Sequence, residues 1–482
     1  MSRRCFLGAA GAALAAPYLM ASAAESGGVA SDLTEYVDLA SFRPKPEVRV
    51  MSAVVRLKPP YWLGWPGTSY DVEERRAAYC AAFDDSARRV GATLSQEAQP
   101  IEDEAAIAAF VAKIHAEKPG AVLLLLQHRN VWPWVDAISK AGVPTIVFSP
   151  IGTSFTQHVK DISRRQGIHV ISTLDTEAVT QAMRMVRAKA QMEQTKLLVV
   201  AGEERKEEVV DTLGTTLKRV PRRALHELFE KMPECDETHE VAKQMRRGAR
   251  KVVEPTDQDT LNAARSYMTA KRLMKDEGVN AITTDCLGMV TTKVVPTPPC
   301  MAATMFQDAG VTYGCEADIN AALSLLLTSY LLDKPGFQND PVPETHKNLL
   351  ITAHCSSGTR LNGFDQGQEP YLLRSHSESG IGVSTQVLWK EGQKVTLVKV
   401  QNPKEIIVDT GTVVANIDTP PAGGCRTNFE IQMDRVEDAR DVLGFHQVVS
   451  YGDHRHDVEA FCQMYGIRAI HSPEHAPEPV LS

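Results

Sequence analysis

Apolar positions along this chain follow two periods. From about residue 48 to 345, short apolar runs alternate with segments whose apolar residues recur every three or four positions. VRVMSAVVRL (48–57), AVLLLLQ (121–127), VPTIVFSP (143–150), KLLVVAG (196–202) and VNAITTDCLG (279–288) have strand length. DVEERRAAYCAAFDDSARRVG (71–91), EDEAAIAAFVAKIHAEKPG (102–120), VWPWVDAISKAG (131–142) and DQDTLNAARSYMTAKRLMKDEG (257–278) carry the helical period. EERKEEVVDTLGTTLKRV (203–220) is assigned to a helix as well. Runs that are apolar on both faces, separated by amphipathic helices, predict parallel sheets covered on each side. The fold class expected is α/β, with two Rossmann-like, doubly wound domains at 47–172 and 173–345. No GxGxxG follows the first strand, so a dinucleotide is not expected.

The pattern changes in the last third. STQVLWKEGQKVTLVKVQNPKEIIVDTGTVVANI (384–417) alternates over short segments broken by Gly, Pro and Asn, which predicts a small antiparallel sheet or barrel. DVEAFCQMYGIRAIH (457–471) returns to helix and then strand. This C-terminal β-rich domain is placed at 346–482. Residues 25–46 are polar with Pro and Gly, and read as a linker.

Length and charge narrow the function. A chain of 482 residues suits two to four domains. A net charge of -8, with no basic cluster beside stacking aromatics, disfavours nucleic acid as a partner. MRRGARK (245–251), the densest basic run, reads as a solvated helix face. SRRCFLGAAGAALAAPYLMASAAE (2–25) pairs Arg3 and Arg4 with a short Ala-rich stretch and a small-residue cleavage site. It resembles a twin-arginine export signal over 1–24. The stretch is too weakly apolar for a membrane anchor, which needs ~20 strongly apolar residues. A periplasmic or extracellular protein, off the membrane after cleavage, is expected. The nine cysteines show no CxxC spacing and read as buried thiols rather than bridges.

Titratable residues gather at turns beside apolar runs. Asp285 ends the strand in AITTDCLGM, where open α/β sheets place ligands. Glu316 and Asp318 precede a long apolar run in YGCEADINAALSLLLTSYLL (313–332). His354 follows the strand in NLLITAHCSSG (348–358), and His446 lies in GFHQVVSYGDHRHD (444–457). Each has an ordinary alternative. Asp318 could be a helix N-cap, and His354 a satisfied core histidine. Asp453 suits a cap, which leaves His454 and His456 outside the site. Together, two or three carboxylates and two imidazoles form an oxygen/nitrogen set suited to Mn²⁺ or a similar divalent ion.

Four strings carry a family likeness: CEADINAAL (315–323), AHCSSG (353–358), GGCRTNFEI (423–431) and GFHQVVSYGDHRHDVEAFCQMYGI (444–467). In their order and separation, residues 280–470 resemble the L-fucose isomerase / L-arabinose isomerase superfamily. The resemblance implies three domains, an oligomer, and a manganese-type ion between the central and C-terminal domains. It implies metal ligands at Glu316 or Asp318, at His354 and at His446; the family's paired histidine is Phe445 here. Asp285 stands where the family usually has glutamate. The implied reaction is aldose–ketose isomerisation through a cis-enediolate, with the ion polarising O1 and O2 of the open-chain sugar. Asp285 and Glu316 would be the acid/base pair. Arg426, Asn428 and His376, the last in the polar loop RSHSES (374–379), would contact sugar hydroxyls; Arg426 could equally form a structural ion pair. An exported sugar binder without catalysis, and a related metal-dependent epimerase or lyase, are the competing expectations.

Overall fold

A computed structural model describes residues 33–61, 66–292, 295–418 and 424–474. The expected export signal at 1–24 lies outside the described residues, among which no helix is long and apolar enough to cross a membrane.

The first apolar runs pair as a parallel sheet. Strands Ala92–Gln96, Val48–Val55, Ala121–Leu126, Thr145–Phe148 and Ile168–Ile171 lie side by side in that order. The order is that of a doubly wound sheet. Its central strand is apolar throughout because both faces are covered. Leu123 and Leu125 pack with Phe83 and Met183, whereas Leu124 and Leu126 pack with Phe110, Ile114 and Trp132. Helix Glu177–Gln194, beyond the expected boundary at 172, buries Val179, Met183 and Val186 in the first of these clusters.

The second sheet runs Tyr313–Cys315, Ala281–Thr284, Lys196–Val200, Thr216–Val220 and Lys206–Val209, the last antiparallel at the edge. The helix expected over 203–220 is therefore a hairpin. Val209, Thr215, Thr216 and Val220 favour extended backbone, and Gly214 turns the chain at φ +79°.

A seven-stranded sheet follows, in the order Lys394–Asn402, Gln447–Tyr451, Phe337–Glu344, Leu349–His354, Thr427–Met433, Glu405–Asn416 and Arg468–Ile470. Antiparallel pairing of Lys394–Asn402 with Glu405–Asn416 closes the first six into a barrel. Its strand Phe337–Glu344 lies before the expected boundary at 345, because Pro341 and Pro343 hide its alternation. A small sheet joins Lys251–Val252, Tyr371–Arg374 and Ser384–Val387.

Two connections tie the layers together. Val37, Leu39 and Phe42 are buried against Leu198 and Tyr267, so this part of the expected linker is core. Helix Arg455–Tyr465 packs Val458 and Phe461 onto the first sheet's cluster, and Gln463 Nε2 donates to Ile168 O at 2.7 Å.

Candidate metal centre

The site forms where the second sheet's C-terminal edge meets the barrel rim. Strand Tyr313–Cys315 ends there beside Ala281–Thr284, with Cys315 opposite Thr284. Gly314 permits the close fit. A Cβ would meet Thr283 Oγ1 at 2.9 Å and Ala322 Cβ at 3.0 Å. Gln338 of the barrel clamps the strand end: its Oε1 accepts from Cys315 N at 3.1 Å and its Nε2 donates to Cys315 O at 3.3 Å.

The chain then turns sharply. Glu316 and Ala317 take left-handed φ values of 59° and 52°. Such backbone costs roughly 1–2 kcal/mol per non-glycine residue and persists only where surroundings impose it. Here Ala317 N donates to Thr284 O at 2.9 Å and Asp318 N to Cys315 O at 3.2 Å. The turn sends Glu316 toward the barrel and Asp318 to the head of helix Ile319–Leu332. Asp318 is an N-cap, its Oδ1 accepting from Ala321 N at 2.8 Å. Its other oxygen accepts from His446 Nδ1 at 2.8 Å and Lys399 Nζ at 3.3 Å. Asp318 therefore stands behind the converging groups and orients His446, while its neighbour Glu316 faces into them.

Four side chains converge. His446, itself at φ 55°, precedes barrel strand Gln447–Tyr451 and is 2% exposed. Its Nε2 lies 3.0 Å from Asp340 Oδ1 and 3.4 Å from Glu316 Oε2. His354, 3% exposed at the end of Leu349–His354, has Nε2 3.9 Å from Glu316 Oε1. Asp340, His354 and His446 offer ligand atoms within 4.8 Å of one another, as do Cys315, Glu316 and His354.

The hydrogen bonding of the two rings differs. Asp318 accepts the Nδ1 proton of His446, so Nε2 faces two carboxylates, as a proton donor when the ring is charged and as a bare ligand nitrogen when it is neutral. Despite the short distances, neither Nε2 nor Asp340 Oδ1 has an aligned hydrogen-bond partner. Acceptors facing one another in a buried site need a proton or a cation between them. For His354 the polarity is reversed. Cys355 N donates to its Nδ1 at 2.9 Å, which leaves the proton of the neutral ring on Nε2, also without a partner. Two carboxylates and His446 Nε2 are the donor types an Mn²⁺-type ion takes, and His354 belongs to both groups of mutually close ligand atoms.

Without a cation, the electrostatics place a proton among these groups. Burial pushes the Glu316 carboxyl up, and nearby Asp340 and Glu378 add to the effect against His354 and His446. Burial opposes charge on His446, but Asp318 and Asp340 outweigh it and raise its pKa to about 9. Asp318 is lowered to about 2, because His446, the Ala321 N–H and Lys399 overcome its burial.

Other expected residues lie elsewhere. Asp285 caps helix Cys286–Thr291 through Gly288 N at 3.0 Å, and its second oxygen pairs with Arg222. Both oxygens are engaged, and it is not part of the converging set. Arg426 donates through Nε to Ser375 O at 2.7 Å and through Nη2 to Ser375 Oγ at 3.1 Å, and Asn428 Nδ2 donates to Cys425 O. Both brace loops. His376 shares a 2.9 Å hydrogen bond between Nδ1 and Ser379 Oγ. With Glu378 it lines a cavity of about 530 Å³ floored by Leu287, Val290 and Ile381. Sequence reasoning missed Asp340. Period-two spacing puts it on the face of Gln338, the residue that clamps Cys315, but this signal is readable only once FQNDPVPE is known to be a strand.

No protein-family model matches the chain, and no curated protein matches it. Among solved structures, the sugar ABC transporter from Yersinia enterocolitica subsp. enterocolitica 8081 aligns over 63% of this chain and 83% of its own, at 11% identity and a TM-score of 0.18. A XylFII molecule aligns over 56% of this chain and 97% of its own, at 11% identity and a TM-score of 0.17. Similarities of that size fix neither fold nor function.

Proposed function

We propose that this protein is a divalent-metal sugar isomerase that interconverts an aldose and a ketose. The observation that carries the reading is His446 Nε2, held by Asp318 toward Asp340 and Glu316 in a buried site. Glu316, Asp340 and His446 would hold the ion, with Mn²⁺ the preferred species. When bound, the ion supplies Lewis acidity to neighbouring oxygens of an open-chain sugar. Glu316 Oε1, on the side facing His354, would carry a proton between C2 and C1 of the sugar. Its burial-raised pKa suits a group that must both take and return a proton. His354 Nε2–H would donate to a sugar oxygen. Glu378 and His376 would border the sugar on the cavity side.

Elemental analysis of the purified protein and of His446→Ala, beside a panel of aldoses, tests the reading. Bound Mn²⁺, lost in the variant, and ketose formation are expected. A metal-free wild type sinks it. A second reading is a non-catalytic sugar binder, favoured by the pair of parallel, helix-covered sheets. It predicts saturable sugar binding with no ketose and no dependence on metal. Bound metal without ketose would instead favour a metal-dependent epimerase or lyase.

A further inference from the structure

Two thiols not used by the proposed reaction touch each other. Cys286 Sγ and Cys315 Sγ are 3.1 Å apart, in residues 4% and 7% exposed. Their backbones are held in place on both sides. Cys315 ends a strand in register with Thr284, two residues before Cys286. Asp285 N donates to Val200 O at 3.0 Å, and Ala317 N donates to Thr284 O at 2.9 Å. A disulfide, with S–S near 2.05 Å, requires the sulfurs to approach by only about 1 Å.

We propose that Cys286 and Cys315 form a reversible disulfide by exchange with small-molecule or protein disulfides. Cys286 is the entry point. It opens helix Cys286–Thr291, and its neighbour Leu287 lines the 530 Å³ cavity and is 37% exposed. Cys286 Sγ, its proton given to solvent, attacks one sulfur of the external disulfide and expels one thiolate. Cys315 Sγ, losing its proton in turn, attacks Cys286 Sγ and expels the second thiolate. The two leaving thiolates take up two protons, so two protein thiols are oxidised and one external disulfide is reduced to two thiols. The bond joins the end of the Asp285 strand to the residue before Glu316. Oxidation thereby stiffens the left-handed turn that aims Glu316. The exchange itself needs no metal and does not depend on the proposed isomerisation.

The test uses the full chain, reduced and then incubated with oxidised glutathione. After acid quench, thiols are alkylated in denaturant and the digest is mapped by mass spectrometry. A cross-linked peptide pair containing Cys286 and Cys315 is expected, with loss of both alkylated forms, while Cys80 and Cys462 stay alkylated. Dithiothreitol should restore both alkylated forms. In Cys315→Ala, glutathione should remain on Cys286 as a mixed disulfide. Full alkylation of Cys286 and Cys315 after oxidation overturns the proposal, as does a dominant cross-link to Cys300, Cys355 or Cys425. The wild-type map decides even if a variant fails to fold.

Discussion

Asp318 Oδ2 accepts a 2.8 Å hydrogen bond from His446 Nδ1 while the same side chain caps a helix through Oδ1. One residue thus caps the helix, as its sequence position allowed, and orients His446, where the sequence offered it as a ligand. The two can be separated. Asparagine caps helices about as well as aspartate, so the cap survives in Asp318→Asn, but Lys399 and the charged His446 lose their carboxylate, and the metal-free variant should melt at lower temperature. It removes the carboxylate that fixes the His446 tautomer. Loss of such an outer partner typically weakens metal binding roughly 10–100-fold. Mn²⁺ titration calorimetry on the variant reads this directly. Unchanged affinity would mean that His446 does not need Asp318 to present Nε2.

The His446 pKa of about 9 gives a pH dependence with a definite sign. A raised folded-state pKa means that protonation stabilises the metal-free fold. That contribution is complete below about pH 6.5, the ordinary histidine value, and is lost as pH rises through about 9. The metal-free protein should therefore melt at lower temperature as pH rises over this window, and His446→Gln should remove that slope. Metal binding needs the bare nitrogen. Near pH 7 it must expel about one proton, and affinity should rise about tenfold per pH unit up to about pH 9. Calorimetry in two buffers of different ionisation enthalpy counts the proton. A count of zero would remove Nε2 from the ligand set.

The opposite polarity of the two histidines predicts opposite phenotypes. His446→Gln should empty the centre. His354→Gln should keep its metal, since Cys355 N occupies Nδ1 and the neutral ring carries its proton on the buried Nε2. Its defect should fall on sugar turnover. Elemental analysis of both variants, before any activity assay, separates ligand from donor. Equal loss of metal would make His354 a ligand.

Much of the architecture can be read from periodicity, because strands covered on both faces leave runs such as AVLLLL that nothing else explains. The hairpin at 206–220 was hidden by its charge. Lys206, Glu207, Glu208, Lys218 and Arg219 give an edge pair the composition of a solvated helix. The site was legible where an acid or imidazole directly ends an apolar strand, as at Glu316 and His354. It was not legible where the meaning of a residue depends on a partner far along the chain. Asp285 has the right place on its strand, but Arg222 claims it. Asp340 directly precedes Pro341 and Pro343 in a strand that pairs with barrel neighbours on both sides.

That exchange of acids yields the sharpest test of the centre. Asp340 Oδ1 is 3.0 Å from His446 Nε2, whereas the oxygens of Asp285 bind Arg222 and a helix N-terminus. Asp340→Asn keeps size and strand pairing but removes one of two anionic ligands. Its Mn²⁺ affinity should fall by more than the roughly 10–100-fold attached to an outer partner. It should also lower the His446 pKa, because Asp340 is one of the three carboxylates that raise it. Asp285→Asn should leave both quantities near wild type, and lower stability modestly by weakening a partly exposed ion pair. Metal titration and histidine NMR titration on the two variants give four numbers. If Asp285→Asn loses the metal and Asp340→Asn keeps it, Asp285, expected as an acid/base residue, is a ligand instead, and the ion lies nearer the sheet edge than the barrel.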